Sequence, residues 1–220
     1  MTREEQPVRA YDSSGRKARA AAGRREIVDA AARLFVAQGF GGTTIAAIAK
    51  EAGVSAPTVY AGFGSKADLL KSAIDIALAG DDEPVAIPER PMAQWVYEAE
   101  TAVDLLSRYA VMMGELASRA APIYDVLVRA ADGEPDLAAL LSDLETQRLR
   151  ASTMVAEGVR DRGGLPPGRT LAEARDTIWV CNAPELYVSL TTKRRWSTKR
   201  YVVWARNTLI KLVLEPPMPA

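Results

Sequence analysis

Residues 43–64 read Thr43-Thr44-Ile45-Ala46-Ala47-Ile48-Ala49-Lys50-Glu51-Ala52-Gly53-Val54-Ser55-Ala56-Pro57-Thr58-Val59-Tyr60-Ala61-Gly62-Phe63-Gly64. Ile45, Ile48, Ala49 and Ala52 recur at i, i+3, i+4 and i+7, the stripe of a short helix that Thr44 precedes and Gly53 ends. Ser55 then opens a second short helix, with Pro57 in its first turn, where a missing N–H is no loss. Two short helices joined through a glycine have the spacing of a helix-turn-helix. Gly53 permits the left-handed turn, Val54 fills the corner, and Ala49 is small where the helices cross. Ile45, Ile48, Val59 and Phe63 are the expected core, which leaves Ala56, Pro57, Thr58, Tyr60, Ala61 and Gly62 facing outward. A slim, hydroxylic and aromatic face suits a major groove. The same spacing also describes an ordinary αα-hairpin in a bundle, and pattern alone leaves both readings open.

Working outward, Ile27, Ala31, Leu34 and Phe35 predict a helix from Arg24 to Gln38, stopped by Gly39. Residues 1–22 lack apolar periodicity and read as a flexible basic arm. Ser65-Lys66-Ala67-Asp68 has a capping-box pattern ahead of a fourth helix through Leu69, Leu70, Ala73, Ile74 and Ala77. The acidic, proline-rich run 80–91 is the best boundary in the chain. Beyond it, Met92 to Met113 trace one long apolar stripe, a shorter helix follows Pro122, and Leu137 to Val159 form another. Helices at about 171–192, interrupted by Pro184, and 198–214 close the chain, with Ser197 as N-cap and Trp196 and Tyr201 at staple positions. No alternating β pattern appears. The expected fold is all-α: a 1–22 arm, a three-helix helix-turn-helix domain at 23–80, and a helical domain at 90–220.

Composition narrows the chemistry. The 220 residues carry 28 basic and 28 acidic groups, no histidine and one cysteine. That excludes a Ser-His-Asp or Cys-His catalytic group, a His-containing zinc site, an internal disulfide and a Cys-clustered metal site. No carboxylate pair stands out for acid–base work, so the expectation is no enzyme, no catalytic or metal residues and no cofactor. A charged N-terminus without a signal-peptide core and the lack of a membrane-length apolar run point to a cytoplasmic protein. Zero net charge hides an asymmetry: Arg9, Arg16, Lys17, Arg19, Arg24 and Arg25 cluster early, and Lys193, Arg194, Arg195, Lys199 and Arg200 late.

From Arg25 to about Ala79 the sequence resembles the N-terminal domain of the tetracycline-repressor (TetR) type regulators. The marks are Ala30-Ala31-Ala32-Arg33-Leu34-Phe35, Gly39-Phe40, Thr43-Thr44, Ile48-Ala49, Ala52-Gly53-Val54-Ser55, Thr58-Val59-Tyr60, Phe63 and Lys66-Ala67-Asp68-Leu69-Leu70. Ala183-Pro184-Glu185-Leu186-Tyr187 with Arg195-Trp196-Ser197 is similar to one branch of that family. The resemblance implies a homodimer reading a palindromic double-stranded DNA operator, mostly as a repressor released by a small molecule in the C-terminal domain. Carried over by position, it implies that Thr44 contacts a phosphate and that Ser55, Ala56, Pro57 and Thr58 lie near base edges or flanking phosphates. Tyr60 would lie on the backbone and Lys66 pair with a phosphate.

Departures from the pattern matter. Gly62 stands where many members carry a polar group, and no Lys or Arg lies between Ser55 and Ser65. An arginine–guanine contact from that helix is therefore excluded, and base reading falls to Thr58 and methyl contacts. Arg16, Lys17 and Arg19 are then expected to enter the minor groove or line phosphates. The uncharged helix also supports an alternative, a helical small-molecule-binding module that has lost DNA binding.

In the C-terminal half, Trp95, Tyr109, Met112 and Met113 are candidate linings for an apolar effector of unknown identity, although such stripes are commonly core. By family analogy the last two helices make the dimer contact, with Ile178, Leu186, Tyr187, Leu190, Tyr201, Trp204, Ala205, Leu209 and Leu212 as its apolar surface. Cys181 reads as an inert packed thiol. The basic cluster at 193–200 is expected far from the helix-turn-helix, as surface charge pairing with acids of the partner subunit. No membrane partner is expected.

Overall fold

A computed structural model describes the backbone of residues 14–216 and the side chains of residues 19–216. Helix α1 (Ser14–Gly42) is followed by α2 (Ile45–Glu51), α3 (Ala56–Phe63) and α4 (Lys66–Ala79). A linker then leads to α5 (Pro91–Tyr97), α6 (Ala102–Ala131), α7 (Pro135–Asp161), α8 (Leu171–Cys181), α9 (Pro184–Val188) and α10 (Thr198–Leu214). The described residues contain no strand, as the sequence predicts.

Helix α1 starts earlier than its apolar stripe. Ser14 to Ala22 are helical where a flexible arm was expected, while residues 1–13 lie outside the described residues. Alanine and arginine are strong helix formers, so Arg16-Lys17-Ala18-Arg19-Ala20-Ala21-Ala22 extends the helix without needing a buried face. Gly39 breaks the far end with φ 73° and ψ 171°.

The stripe from Met92 to Met113 is two helices, not one. Thr101 caps α6 by accepting from the Asp104 N–H. Arg162, the residue that caps the end of α7, donates to the carbonyls of Tyr97 (2.7 Å) and Ala99 (2.8 Å), which the break leaves without helical partners. Conversely, α6 does not restart after Pro122 but runs through it. A helix-interior proline costs about 3 kcal/mol; burial of Ala120, Ala121, Ile123 and Tyr124 around it offsets that cost. Helix α10 lies so close to α6 that a Cβ on Gly114 would sit 2.3 Å from Val202 Cγ2.

Two apolar cores result, and the linker does not divide them. The first holds Ile27, Phe35, Ile48, Val59, Leu69 and Ile74 together with Ile123, Leu127 and Leu137, so α6 and α7 complete the interior of the N-terminal domain. Arg119 of α6 also donates to the last carbonyls of α4, at Ala77 (3.0 Å) and Leu78 (3.2 Å). Linker residue Arg90 grips Asp81 with two hydrogen bonds (2.7 and 2.9 Å), which hold that carboxyl at a pKa of about 2. The second core gathers Leu105, Leu106, Tyr109, Met113, Val155, Val159, Ile178, Tyr201 and Leu209.

That second core corrects the expected dimer surface. Ile178, Tyr187, Tyr201, Ala205 and Leu209 are buried within their own chain. Apolar periodicity marks an inward face without saying which neighbour covers it. The apolar side chains left open on α8 and α10 are Val180 (54% exposed), Val203 (44%) and Leu212 (45%). Cys181 is buried, and burial pushes its thiol pKa up, in keeping with an inert group.

Candidate nucleic-acid interface

The helix pair forms as its residues dictate. Thr44 caps α2, its hydroxyl accepting from the Ala47 N–H at 3.1 Å. Gly53 turns the chain at φ 67°, where a Cβ is disfavoured. Ser55 caps α3, accepting from the Thr58 N–H at 3.3 Å, and its hydroxyl lies 2.7 Å from that of Thr58. Ile45, Ile48, Ala49, Val59 and Phe63 are buried as expected. At α4, Ser65 caps Asp68 N–H (3.0 Å) and donates to the Asp68 carboxylate (2.6 Å). The backbone N–H of Ser65 goes to Phe63 O instead, so the reciprocal half of a capping box is not made.

The outward surface carries Thr44, Ser55, Pro57, Thr58, Tyr60, Ala61 and Gly62, all exposed, with Tyr60 at 54%. Ala56 is half-buried against the first core. These side chains form one slim face with hydroxyls at both helix starts and one aromatic ring.

Basic side chains around this face are mostly engaged within the domain. Arg24 donates to Gly62 O (2.6 Å) and lies over the Phe63 ring (4.1 Å), locking the end of α3 onto α1. Arg25 pairs with Asp29, Arg33 with Glu51 and Lys71 with Asp75. Arg19 is exposed on α1, and the side chains of Arg16 and Lys17 lie outside the described residues. The flexible arm expected for all three is corrected to a helix, because their backbone belongs to α1.

Lys66, expected at a phosphate, is held by the backbone of its own domain. Its ammonium donates to Phe40 O (2.8 Å) and Thr43 O (3.1 Å) and sits 4.1 Å from the centre of the Phe40 ring. Thr43, buried beside it, donates to Gly39 O (2.8 Å) and is 3.2 Å from Leu34 O. Together these bonds fix the joint between α1 and α2. Lys66→Met keeps the aliphatic stem and removes two charge-assisted bonds, so it should cost about 2–4 kcal/mol and lower the thermal midpoint correspondingly. An unchanged melting curve would show that the joint does not depend on Lys66.

Of the four candidate effector residues, Met112 alone borders either of the two cavities described below. Trp95 is 39% exposed under the Arg108 guanidinium (5.2 Å). Met113 is core, and Met112 borders a small hollow of about 200 Å³ between α4, α5 and α6. Tyr109 is buried with no hydrogen-bond partner for its hydroxyl. Three residues without any sequence signal share that condition: Arg148 and Arg169 each have an unmatched Nε and Trp179 an unmatched indole N–H. Arg148 stacks 4.2 Å over Trp179 and donates to its carbonyl and to Glu145, so α7 and α8 meet through a buried polar cluster.

A cleft of about 810 Å³ lies elsewhere, at the junction of the two cores. One wall is Phe35, Val36 and Gly39–Gly41 of α1, and the opposite wall includes Tyr187, Val188 and Thr191–Lys193. The start of the late basic cluster is therefore beside the joint that leads into α2, not far from the helix-turn-helix as expected.

The family model for bacterial regulatory proteins of the tetR family matches residues 27–73. No curated protein matches the chain. Among solved structures, SmeT in its complex with triclosan superposes with a TM-score of 0.67 at 21% identity, over 90% of this chain and all of that one. The regulator FadR from Bacillus subtilis, in complex with stearoyl-CoA, gives 0.64 at 21% identity, over 86% and 97%. The fatty acid degradation regulator FadR from Bacillus halodurans gives 0.66 at 18%, over 85% and 94%. A capped, glycine-turned helix pair thus lies inside the segment that matches the tetR-family model, on a chain whose fold is similar throughout to these solved regulators.

Proposed function

We propose that the chain is a homodimeric repressor that binds a palindromic operator and releases it when a small molecule occupies the C-terminal half. The observation that carries this reading is the outward face of α2 and α3, where exposed hydroxyls and the Tyr60 ring project from a surface slim enough for a major groove. Thr44 and Tyr60 hold phosphates, Ser55 and Thr58 reach phosphates or base edges, and Pro57 offers an apolar contact to a thymine methyl. Arg19, on the helical extension of α1, adds a phosphate contact. Two-fold pairing runs through α8 and α10, whose apolar Val180 and Val203 stand about half exposed in the single chain.

The effector has an apolar body and an acceptor oxygen. The second core supplies apolar surface, and Tyr109, Arg148 and Trp179 present polar atoms there that the chain itself leaves unmatched. Helix α6 carries the signal, because its first half lines that core while Arg119 and Ile123 onward bear on α4 and α1.

Band-shift titration with duplexes tiled across the DNA flanking the gene tests this. One duplex should be retarded at physiological salt about a thousandfold more tightly than its scrambled counterpart. Equal binding of every duplex would contradict an operator-specific regulator, and binding of none would favour the module without DNA binding.

A further inference from the structure

Between Leu186 and Leu214 the sequence carries seven basic residues and no acidic one. Among the described residues none of the seven takes part in an ion pair, whereas ten other arginines and lysines do. Five of them are exposed where α9 joins α10: Lys193, Arg194 and Arg195 on the connection, and Lys199 and Arg200 in the first turn of α10. Uncompensated like charges packed this closely repel one another, so a fold retains them at a cost unless something anionic meets them.

The turn is built rather than loose. The N–H of Arg194 donates to Ser189 O (3.2 Å), and that of Trp196 donates to Leu190 O (3.0 Å). Arg195 takes a left-handed φ of 55°, an uncommon conformation for a side chain without a local hydrogen bond. Arg200 lies 4.2 Å over the Trp196 ring. Ser197 and Thr198 anchor the start of α10, the latter through a 2.8 Å contact with the Tyr187 hydroxyl.

Its position supplies the partner. Lys193 and Gly39–Gly41 border the same cleft, and Thr43 and Thr44 follow directly at the phosphate-facing start of α2. The helix pair itself is short of free charge. Its recognition helix has no Lys or Arg, Arg24, Arg25, Arg33, Lys66 and Lys71 are engaged within the domain, and Lys50 at the end of α2 is the exposed cation the pair keeps among the described residues. Duplex binding draws much of its affinity from cations that displace counterions along the backbone.

We propose that the 193–200 turn is a second DNA-contacting surface, gripping backbone phosphates beyond those met by α2 and α3. It adds affinity and salt dependence without reading sequence. The inference rests on the DNA-binding reading above and assigns part of the cationic share of that binding, beside Arg19, to the C-terminal half.

The test is fluorescence anisotropy of the full chain on a 30-base-pair duplex retarded by the wild type, from low to physiological salt. The variant is Lys193→Gln/Arg194→Gln/Lys199→Gln, whose three side chains are exposed and make no hydrogen bond among the described residues. Each lost phosphate contact should flatten the slope of log K against log salt by about 0.9, so the triple variant should lose about 2–3 from the slope and bind about tenfold or more weakly. Discrimination against a scrambled duplex should be unchanged. Parallel slopes would overturn the proposal while leaving the helix-turn-helix reading standing; a wild type that binds no duplex at any salt would sink both. A triple variant that sediments as a monomer beside a dimeric wild type would overturn it in favour of subunit pairing. Loss of binding to phosphatidylglycerol vesicles with an unchanged DNA slope would overturn it in favour of a membrane.

Discussion

Val203→Asp should yield a folded monomer that binds operator DNA about a hundredfold or more weakly than the wild type. Val203 is 44% exposed on α10, so the aspartate meets solvent in the single chain and should cost about 0.5 kcal/mol in helix propensity. In a two-fold interface the same position faces apolar surface twice, and each subunit would bury an unpaired carboxylate. Separating the subunits removes the second half-site from each binding event, and linkage of two sites is worth about 100- to 10,000-fold in affinity. Sedimentation velocity and band shifts on one preparation check both halves. A dimer that survives Val203→Asp and Val180→Asp together would place the subunit contact away from α8 and α10.

Ala61 offers the second large effect, in both directions. It is exposed on α3 with no cation on that helix, so a charge placed there faces the phosphates or base edges with little structural consequence. Ala61→Glu sets a carboxylate against the duplex and should weaken binding at low salt by about tenfold or more while leaving the melting temperature within a degree or two. Ala61→Arg should tighten binding and steepen the salt slope by about one unit. The opposed pair guards against misreading a folding defect as a binding defect. Equal affinities for both variants would mean that α3 does not lie against DNA.

The parts of this site that were legible in the sequence are those set by local chemistry. Thr44, Gly53 and Ser55 announce a cap, a left-handed turn and a second cap, and the structure makes each of them. The all-α fold followed from the same kind of signal, since periodicity over ten to thirty residues outweighs its exceptions. The bonds of Lys66 to the carbonyls of Phe40 and Thr43, twenty-odd residues earlier, leave no mark in the sequence, because a lysine at a helix start looks the same with or without them. Arg162 closing the break at Tyr97 and Ala99 spans more than sixty residues, which no local pattern records. Ile178, Tyr201 and Leu209 have the periodicity of an interface, but their covering neighbours are α6 and α7 of the same chain. Pro122 was read as a break because its local cost is visible and the burial that offsets it is not.

Dimethyl sulfate interference on the retarded duplex tests most directly whether α3 enters the major groove, since methylation at guanine N7 projects there and methylation at adenine N3 projects into the minor groove. Two clusters of interfering guanines on one DNA face, related by a dyad and about one helical turn or a multiple apart, are expected. Interference confined to adenines, or a single cluster without a dyad partner, would contradict a two-fold pair of major-groove readers.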